Sequence, residues 1–232
     1  MKQVLITGGT RGIGLACCER FVKAGDSVTA TWSKDKESAE RAKSLLPSVR
    51  FIQADISNEE EVKALLESLS SLDVLVNNAG VHMFKLVQDT TLQEWERIMG
   101  INVGGAFLCA KYAAKKLMES RGAIVNVGSV WGEVGASCES AYSASKGALM
   151  AFTKALAKEL APMGVTINCI SPGAIDTRMN DSLSKEEKEA LISEIPLGRF
   201  GQSEEVAELI YFISCQKYIT GQNISINGGW NC

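Results

Sequence analysis

A chain of 232 residues, 46% hydrophobic and 22% charged, has the make-up of a globular domain with a full core. Its net charge of −3, from 24 Lys and Arg against 27 Asp and Glu, and the lack of any basic run argue against nucleic-acid or anionic-membrane partners. Met1-Lys2-Gln3 leads directly into Val4-Leu5-Ile6, an apolar run far too short for a signal-peptide core or a membrane span, so a cytoplasmic protein is expected. Seven cysteines, an odd number without C-x-x-C spacing, lie mostly in apolar segments and read as buried, reduced thiols. Cys138 differs: it falls in a loop bordering the expected site and is taken as pocket lining. With His82 as the single histidine and no acid cluster, no metal site is expected.

In chain order, β-rich runs alternate with amphipathic stretches. The expected strands are Gln3–Thr7, Ser27–Trp32, Arg50–Gln53, Val74–Asn77, Ala123–Val127, Thr166–Ile170 and Asn223–Ile226. The expected helices are Ile13–Ala24, Glu37–Leu46, Glu59–Leu69, Leu92–Met99, Val103–Ser120, Ala141–Ala161 and Glu204–Ser214. Apolar strands alternating with helices predict an α/β fold, a doubly wound parallel sheet of seven strands with helices on both faces. No Pro-, Gly- or Ser-rich linker and no internal repeat divides the chain, so residues 1–232 are expected to form a single domain. The segment at about 176–200 breaks the alternation. Its stretch Asn180-Asp181-Ser182-Leu183-Ser184-Lys185-Glu186-Glu187 reads as a turn and then a capped helix beginning near Ser184. An inserted helix after a strand's carboxyl end is where a substrate lid would sit.

Thr7-Gly8-Gly9-Thr10-Arg11-Gly12-Ile13-Gly14 joins the first strand to the first helix. Glycines 8, 12 and 14 allow a tight turn and a close approach of backbone to a diphosphate, and the helix N-terminus offers free N–H groups and a positive dipole end. Farther along, Tyr142-Ser143-Ala144-Ser145-Lys146 sets a phenol and an ammonium four residues apart, on one face of a helix. An ammonium beside a phenol favours the phenolate, so the tyrosine pKa is expected to be lowered. Ser129 closes the apolar strand 123–127, at the carboxyl end where open α/β sheets bind ligands. Asn102 is placed at the start of the long helix after the fourth strand, where a helix N-cap is the plain alternative to a site role.

Together these elements resemble the short-chain dehydrogenase/reductase family, with the G-x-x-x-G-x-G turn, Asp55-Ile56, Asn77-Asn78-Ala79-Gly80, Ser129, Tyr142-x-x-x-Lys146, Pro172-Gly173-Ala174-Ile175-Asp176-Thr177, Ile219-Thr220-Gly221-Gln222 and Asn227-Gly228-Gly229 all in the family's order. The resemblance covers essentially the whole chain and implies a Rossmann-type fold. It implies a nicotinamide nucleotide held by Gly8, Thr10, Arg11, Gly12, Ile13 and Gly14. It further implies that Asp55 and Ile56 meet the adenine, that Asn78, Ala79 and Gly80 lie beside its ribose, and that Pro172, Gly173, Ile175 and Thr177 contact the nicotinamide and diphosphate. Tyr142 would donate the proton, Lys146 would also bond the nicotinamide ribose, Ser129 would donate to the substrate oxygen, and Asn102 would hold a water of the proton relay. Charge selects between the two nucleotides. Strand two ends Thr31-Trp32-Ser33-Lys34 with no acid before Asp35, while Arg11 and Lys34 supply positive charge and Ser33 a hydroxyl, so NADPH is expected over NADH.

Within the family the chain looks most like the 3-oxoacyl-[acyl-carrier-protein] reductases, which implies fatty-acid synthesis, a small-molecule or carrier-bound ketone and a homotetramer built on helices 103–120 and 141–161 and the last strand. It departs from them where arginines commonly hold the acidic carrier: Ser120 and Met163 are uncharged here, although Arg121 is adjacent. The expected lid from Asp181 to Glu194 carries five acids and two lysines, and the loop before Tyr142 holds Glu133 and Glu139. An acidic rim suits a cationic substrate. Gly135-Ala136-Ser137-Cys138-Glu139 also resembles the short bacterial reductases of a 5-aminopentanone group on a lysine of elongation factor P. Trp131 is expected either to line the pocket or to sit in the core. A nucleotide-binding protein without catalysis is the remaining reading, against which stands the complete set Asn102, Ser129, Tyr142 and Lys146.

Overall fold

The chain crosses its sheet from the middle outward, returns, and then runs out the other way. In a computed structural model describing residues 1–177 and 184–231, the strands are β1 (Gln3–Ile6), β2 (Ser27–Trp32), β3 (Arg50–Gln53), β4 (Val74–Asn77), β5 (Ala123–Val127), β6 (Thr166–Pro172) and β7 (Asn223–Ile226). All pairings are parallel, in the order β3-β2-β1-β4-β5-β6-β7. The order reverses between β1 and β4, and the crevice outside their carboxyl ends is where such sheets bind ligands. The sheet is a Rossmann-type α/β domain, as expected.

Helices cover both faces because central strands such as β4 and β5 are buried along their whole length. On one face, α1 (Gly12–Lys23) and α9 (Ser203–Cys215) bury Phe21, Cys17, Val206 and Ile210 against Val4, Ile6 and Val76. On the other, α3 (Glu59–Glu67), α5 (Gly105–Ser120) and α7 (Ser140–Leu160) bury Leu66, Leu117 and Leu160 against Leu5, Leu75, Ile124 and Ile167. The remaining helices are α2 (Lys36–Leu45), α4 (Leu92–Met99), α6 (Trp131–Val134) and α8 (Lys185–Glu194). Among the described residues, no helix is long and apolar enough to cross a membrane.

Local chemistry sets the boundaries. Ser184 accepts from Glu187 N, and the Glu187 carboxylate reaches back to Ser184 N at 2.7 Å, so α8 opens on the capping box expected there. Residues 178–183 of the expected lid lie outside the described residues. β6 runs on to Pro172, past the expected end at Ile170, because its partner β7 pairs with it as far as Ile226. Asn102 does not cap a helix. α4 passes into α5 through a π-helical turn, Gly100–Gly104, and Asn102 is buried inside it. The short α6 was not anticipated; it makes a single turn directly after Ser129.

Candidate active site

The glycine turn is held from below by the segment after β4. Thr7 Oγ1 accepts from Asn78 N and Ala79 N, each at 3.0 Å, and Asn78 Nδ2 donates to the carbonyls of Thr7 and Gly8, also at 3.0 Å. Thr7, read from sequence only as the last strand residue, is thus the fastening between the two motifs. Gly8 has φ +66° and a Cβ there would lie 3.0 Å from Ala79 Cα, so the position requires glycine. A Cβ on Gly14 would strike the Gly8 carbonyl and come within 2.6 Å of Asn78 Nδ2.

A cavity of about 670 Å³ opens above this turn. The expected nucleotide residues Gly8, Thr10, Arg11, Gly12 and Ile13 line it, joined by Ser33, Lys34, Asp55 and Ile56, by Asn78, Ala79 and Gly80, and by Thr177. Gly14 does not line it; its role is to let α1 pass close to Gly8 and Asn78. The bare backbone cradle at the N-terminus of α1, with this volume above it, fits a dinucleotide. Asp55 Oδ1 accepts from Ser57 N and Oγ at 3.0 and 2.7 Å, and the Ser57 bonds hold its pKa below the usual carboxylate value. Arg11 Nη1 donates to Asp35 Oδ2 at 2.9 Å, while Asp35 Oδ1 caps α2 through Ser38 N. The acid that sequence spacing set aside is therefore brought onto Arg11, and the positive charge at this end is smaller than expected.

A second cavity of about 540 Å³ shares Ile13, Asn78, Gly80, His82 and Thr177 with the first, so the two are continuous. Ser129, Tyr142 and Lys146 converge on it, with Pro172, Gly173 and Ile175 on the far wall. Tyr142 is 8% exposed, and Ser129 lies close enough to its hydroxyl to act on its pKa. Lys146 Nζ lies 5.6 Å from the Tyr142 ring centroid and donates to Val127 O at 2.7 Å. Burial pushes the Tyr142 pKa up to about 12; Ser129 opposes this and the charge of Glu139 adds to it. The expected lowering of the phenol by Lys146 is not realised: removal of the ring from water dominates, and the opposing effect comes from Ser129 instead. Burial also brings Lys146 down to about 8.

Asn102 serves as a brace. Its Oδ1 accepts from Val81 N at 2.8 Å, and its Nδ2 donates to Val81 O and to Ser145 Oγ, each at 2.9 Å. It thereby fixes the loop after β4 to the helix that carries Tyr142 and Lys146.

The mouth of the second cavity carries groups that sequence only partly revealed. His82 faces Glu139 at 2.9 Å and meets the Tyr142 ring edge-on at 5.1 Å between centroids. The backbone turns into Glu139 through Cys138 at φ 62°, and Cys138 O accepts from Lys85 N at 2.6 Å. Glu133 is not a rim charge. Its carboxylate accepts from Asn223 and Ser225 of β7 at 2.6 Å each and from Asn231 at 3.1 Å. Trp131 lines the cavity, as do Phe84, Glu187, Leu191 and Trp230, which no spacing rule had singled out. Cys17, Cys18, Cys109 and Cys169 are buried free thiols, whereas Cys138 and Cys215 are half-buried, the latter accepting from Lys2 Nζ at 2.9 Å. Among the described residues no cluster could hold a metal ion.

A parallel sheet with a glycine turn at its switch point, and a Ser–Tyr–Lys group on the adjoining cavity, defines a nucleotide-dependent oxidoreductase architecture. A family model described as enoyl-(acyl carrier protein) reductase matches residues 8–231. The chain is 38% identical to the 3-oxoacyl-[acyl-carrier-protein] reductase FabG of Staphylococcus aureus, over 98% of this chain and 97% of that protein. It is 39% identical to the same-named protein of Aquifex aeolicus, over 98% and 96%. It is 35% identical to the uncharacterized oxidoreductase YmfI of Bacillus subtilis, over 100% and 99%. The chain belongs to the short-chain dehydrogenase/reductase family, oxidoreductases acting on CH–OH and C=O groups.

Proposed function

We propose that this protein reduces the ketone of a 3-oxoacyl thioester to a secondary alcohol with NADPH. The observation that carries the proposal is the convergence of two hydroxyls, Ser129 and Tyr142, on a cavity continuous with the one above the glycine turn. Two oriented donors on an oxygen that gains charge stabilise the developing alkoxide.

When bound, NADPH supplies the hydride. The turn of residues 8–14 would cradle its diphosphate, Arg11, Ser33 and Lys34 would receive the 2′-phosphate, and Lys146 would hold the nicotinamide ribose. Ser129 donates to the carbonyl oxygen. Tyr142, protonated across the physiological range by its raised pKa, gives its proton to the same oxygen. Lys146 lies one helical turn away and stabilises the phenolate left behind. Asn102 keeps that helix in register with the loop at Val81 and Gly80. Helix α8 forms the lid side of the pocket. The working form is a cytoplasmic homotetramer; Phe107 of α5, half exposed and meeting Phe152 of α7 edge-on, supports those helices as an assembly face.

The test is NADPH oxidation with a 3-oxoacyl thioester on acyl carrier protein. Tyr142→Phe should lower kcat by about 1,000-fold or more while NADPH binding stays within a few-fold. An unchanged kcat would remove Tyr142 from the chemistry. NADPH binding with no turnover of any ketone by the wild type would favour a nucleotide-binding protein without catalysis.

A second reading is favoured by one observation: Glu139 lines the cavity close enough to Tyr142 to raise its pKa, and Glu187 lines the same cavity. Acids there suit a ketone bearing an amine, such as the 5-aminopentanone group on elongation factor P. Slow reduction of the carrier-bound thioester, together with fast reduction of an amino ketone that is lost in Glu139→Gln, would transfer the proposal to that substrate.

A further inference from the structure

Trp230 directly precedes Asn231, the last described residue, yet it and its neighbours are anchored to two separate elements, α8 and α6. It follows a turn in which Gly228 and Gly229 both take positive φ, 65° and 83°. Gly228 O accepts from Leu197 N at 3.1 Å, and a Cβ on Gly228 would come within 2.8 Å of Ile195 Cγ2, so the turn lies hard against the end of α8. The next residue, Asn231, donates to Glu133 of α6 at 3.1 Å. The Trp230 ring itself packs edge-to-face on Trp131 at 4.7 Å between centroids, and its Nε1 donates to Glu194 Oε2 of α8 at 3.4 Å.

Trp131 connects this wall to the reacting groups. Its backbone N donates to Ser129 Oγ at 3.2 Å, so the first tryptophan is fixed relative to the hydroxyl that faces the substrate oxygen. Trp230 lines the second cavity and not the nucleotide cavity. Glu187, Leu191 and Glu194 recur at helical spacing on the side of α8 that meets the cavity and the indole. An arm that leaves the substrate carbonyl away from the nucleotide therefore runs toward a rigid aromatic wall, not toward a loose chain end.

We propose that Trp230 is a specificity-determining residue that limits the length of the arm beyond the reacting carbonyl, a reading that rests on the carbonyl reduction proposed above. The experiment compares wild type, Trp230→Ala and Trp230→Phe on two N-acetylcysteamine thioesters, acetoacetyl and 3-oxooctanoyl, with NADPH binding measured for each protein. Trp230→Ala should raise kcat/KM for the eight-carbon ester by about ten-fold relative to the four-carbon one, while Trp230→Phe, which keeps an aromatic ring in the wall, should shift that ratio by no more than about three-fold. An equal change on both esters, or none, would overturn the assignment. If the wild type binds NADPH but reduces neither ester, the proposed function has failed, and the wall is judged by hydrogen exchange. Amides of residues 185–194 should then lose protection in Trp230→Ala but not in Trp230→Phe; equal protection in all three proteins would overturn it.

Discussion

His82 Nε2 stands 2.9 Å from Glu139 Oε2, joining the loop after β4 to the turn before α7 directly beside the Tyr142 ring. The charges that face Tyr142 are Glu139, His82 when protonated, and Lys146 one turn along the same helix. Glu139 favours the neutral phenol and so adds to the upward shift that burial begins. Replacing Glu139 by Gln removes that contribution, and the phenol should ionise at a lower pH than its present value of about 12. A ¹³Cζ-tyrosine titration, with Tyr142 assigned through Tyr142→Phe, measures this directly. A midpoint unmoved or raised in Glu139→Gln would show that the carboxylate does not act on the phenol.

The contact between Arg11 and Asp35 bears on nucleotide choice. Arg11→Ala should weaken NADPH by about ten-fold and leave NADH nearly unchanged, since only the former carries the 2′-phosphate. Asp35→Asn keeps a side-chain acceptor for the cap of α2 and removes a negative charge, so NADPH should bind more tightly with little change in Tm. Titration of both nucleotides against both variants checks these outcomes, and equal effects on NADPH and NADH would count against the assignment.

Lys146 is buried and its pKa is brought down from 10.5 to about 8. Below pH 8 both folded and unfolded chains hold the proton, and the folded state bears the full cost of the buried charge. Between about 8 and 10.5 the unfolded chain binds more protons than the folded one, so stability at this site rises with pH, by up to about 3 kcal/mol. Lys146→Met lacks this dependence. Urea unfolding at pH 7.5 and pH 10 should show the wild type gaining on the variant as pH rises; parallel behaviour of the two proteins would refute the shift.

Asn102→Ala removes three hydrogen bonds and leaves Val81 N–H and C=O without their partner. The expected cost is about 2 kcal/mol, or roughly 5 °C in Tm, with a fall in kcat because α7 loses its tie to the loop. Thermal unfolding and steady-state kinetics test the two parts separately. An unchanged Tm would mean that the π-helical turn is held by other contacts.

Strand identity, strand count and the glycine turn were legible because each rests on local patterning: apolar runs such as Val74–Asn77 and the spacing of Gly8, Gly12 and Gly14. The grouping of Ser129, Tyr142 and Lys146 was legible through motif spacing. What escaped depends on residues far apart in the chain. Glu133 looked like a rim charge because nothing near it in sequence foretells Asn223, Ser225 and Asn231 as its partners. Asn102 reads in sequence as the start of a separate helix, with a cap as the plain alternative to its site role, because nothing local foretells that a π-helical turn joins α4 to α5. The direction of the Tyr142 shift was misjudged because spacing shows the neighbouring ammonium but not the depth of burial. Trp230 carried no signal beyond its residue type.

The packing of α1 on α9 has a consequence for synthesis. Arg20 lies 3.6 Å above the Tyr211 ring and contacts Glu208 at 2.7 Å, while Phe21 meets Tyr211 at 5.2 Å between centroids. The helix that begins at the glycine turn is thus backed by residues made almost 190 positions later. A nascent chain lacking residues 203–215 would present the apolar side of α1 to solvent and to chaperones. If the turn binds a nucleotide as proposed, its retention by ribosome-bound chains of increasing length should appear only once α9 has emerged.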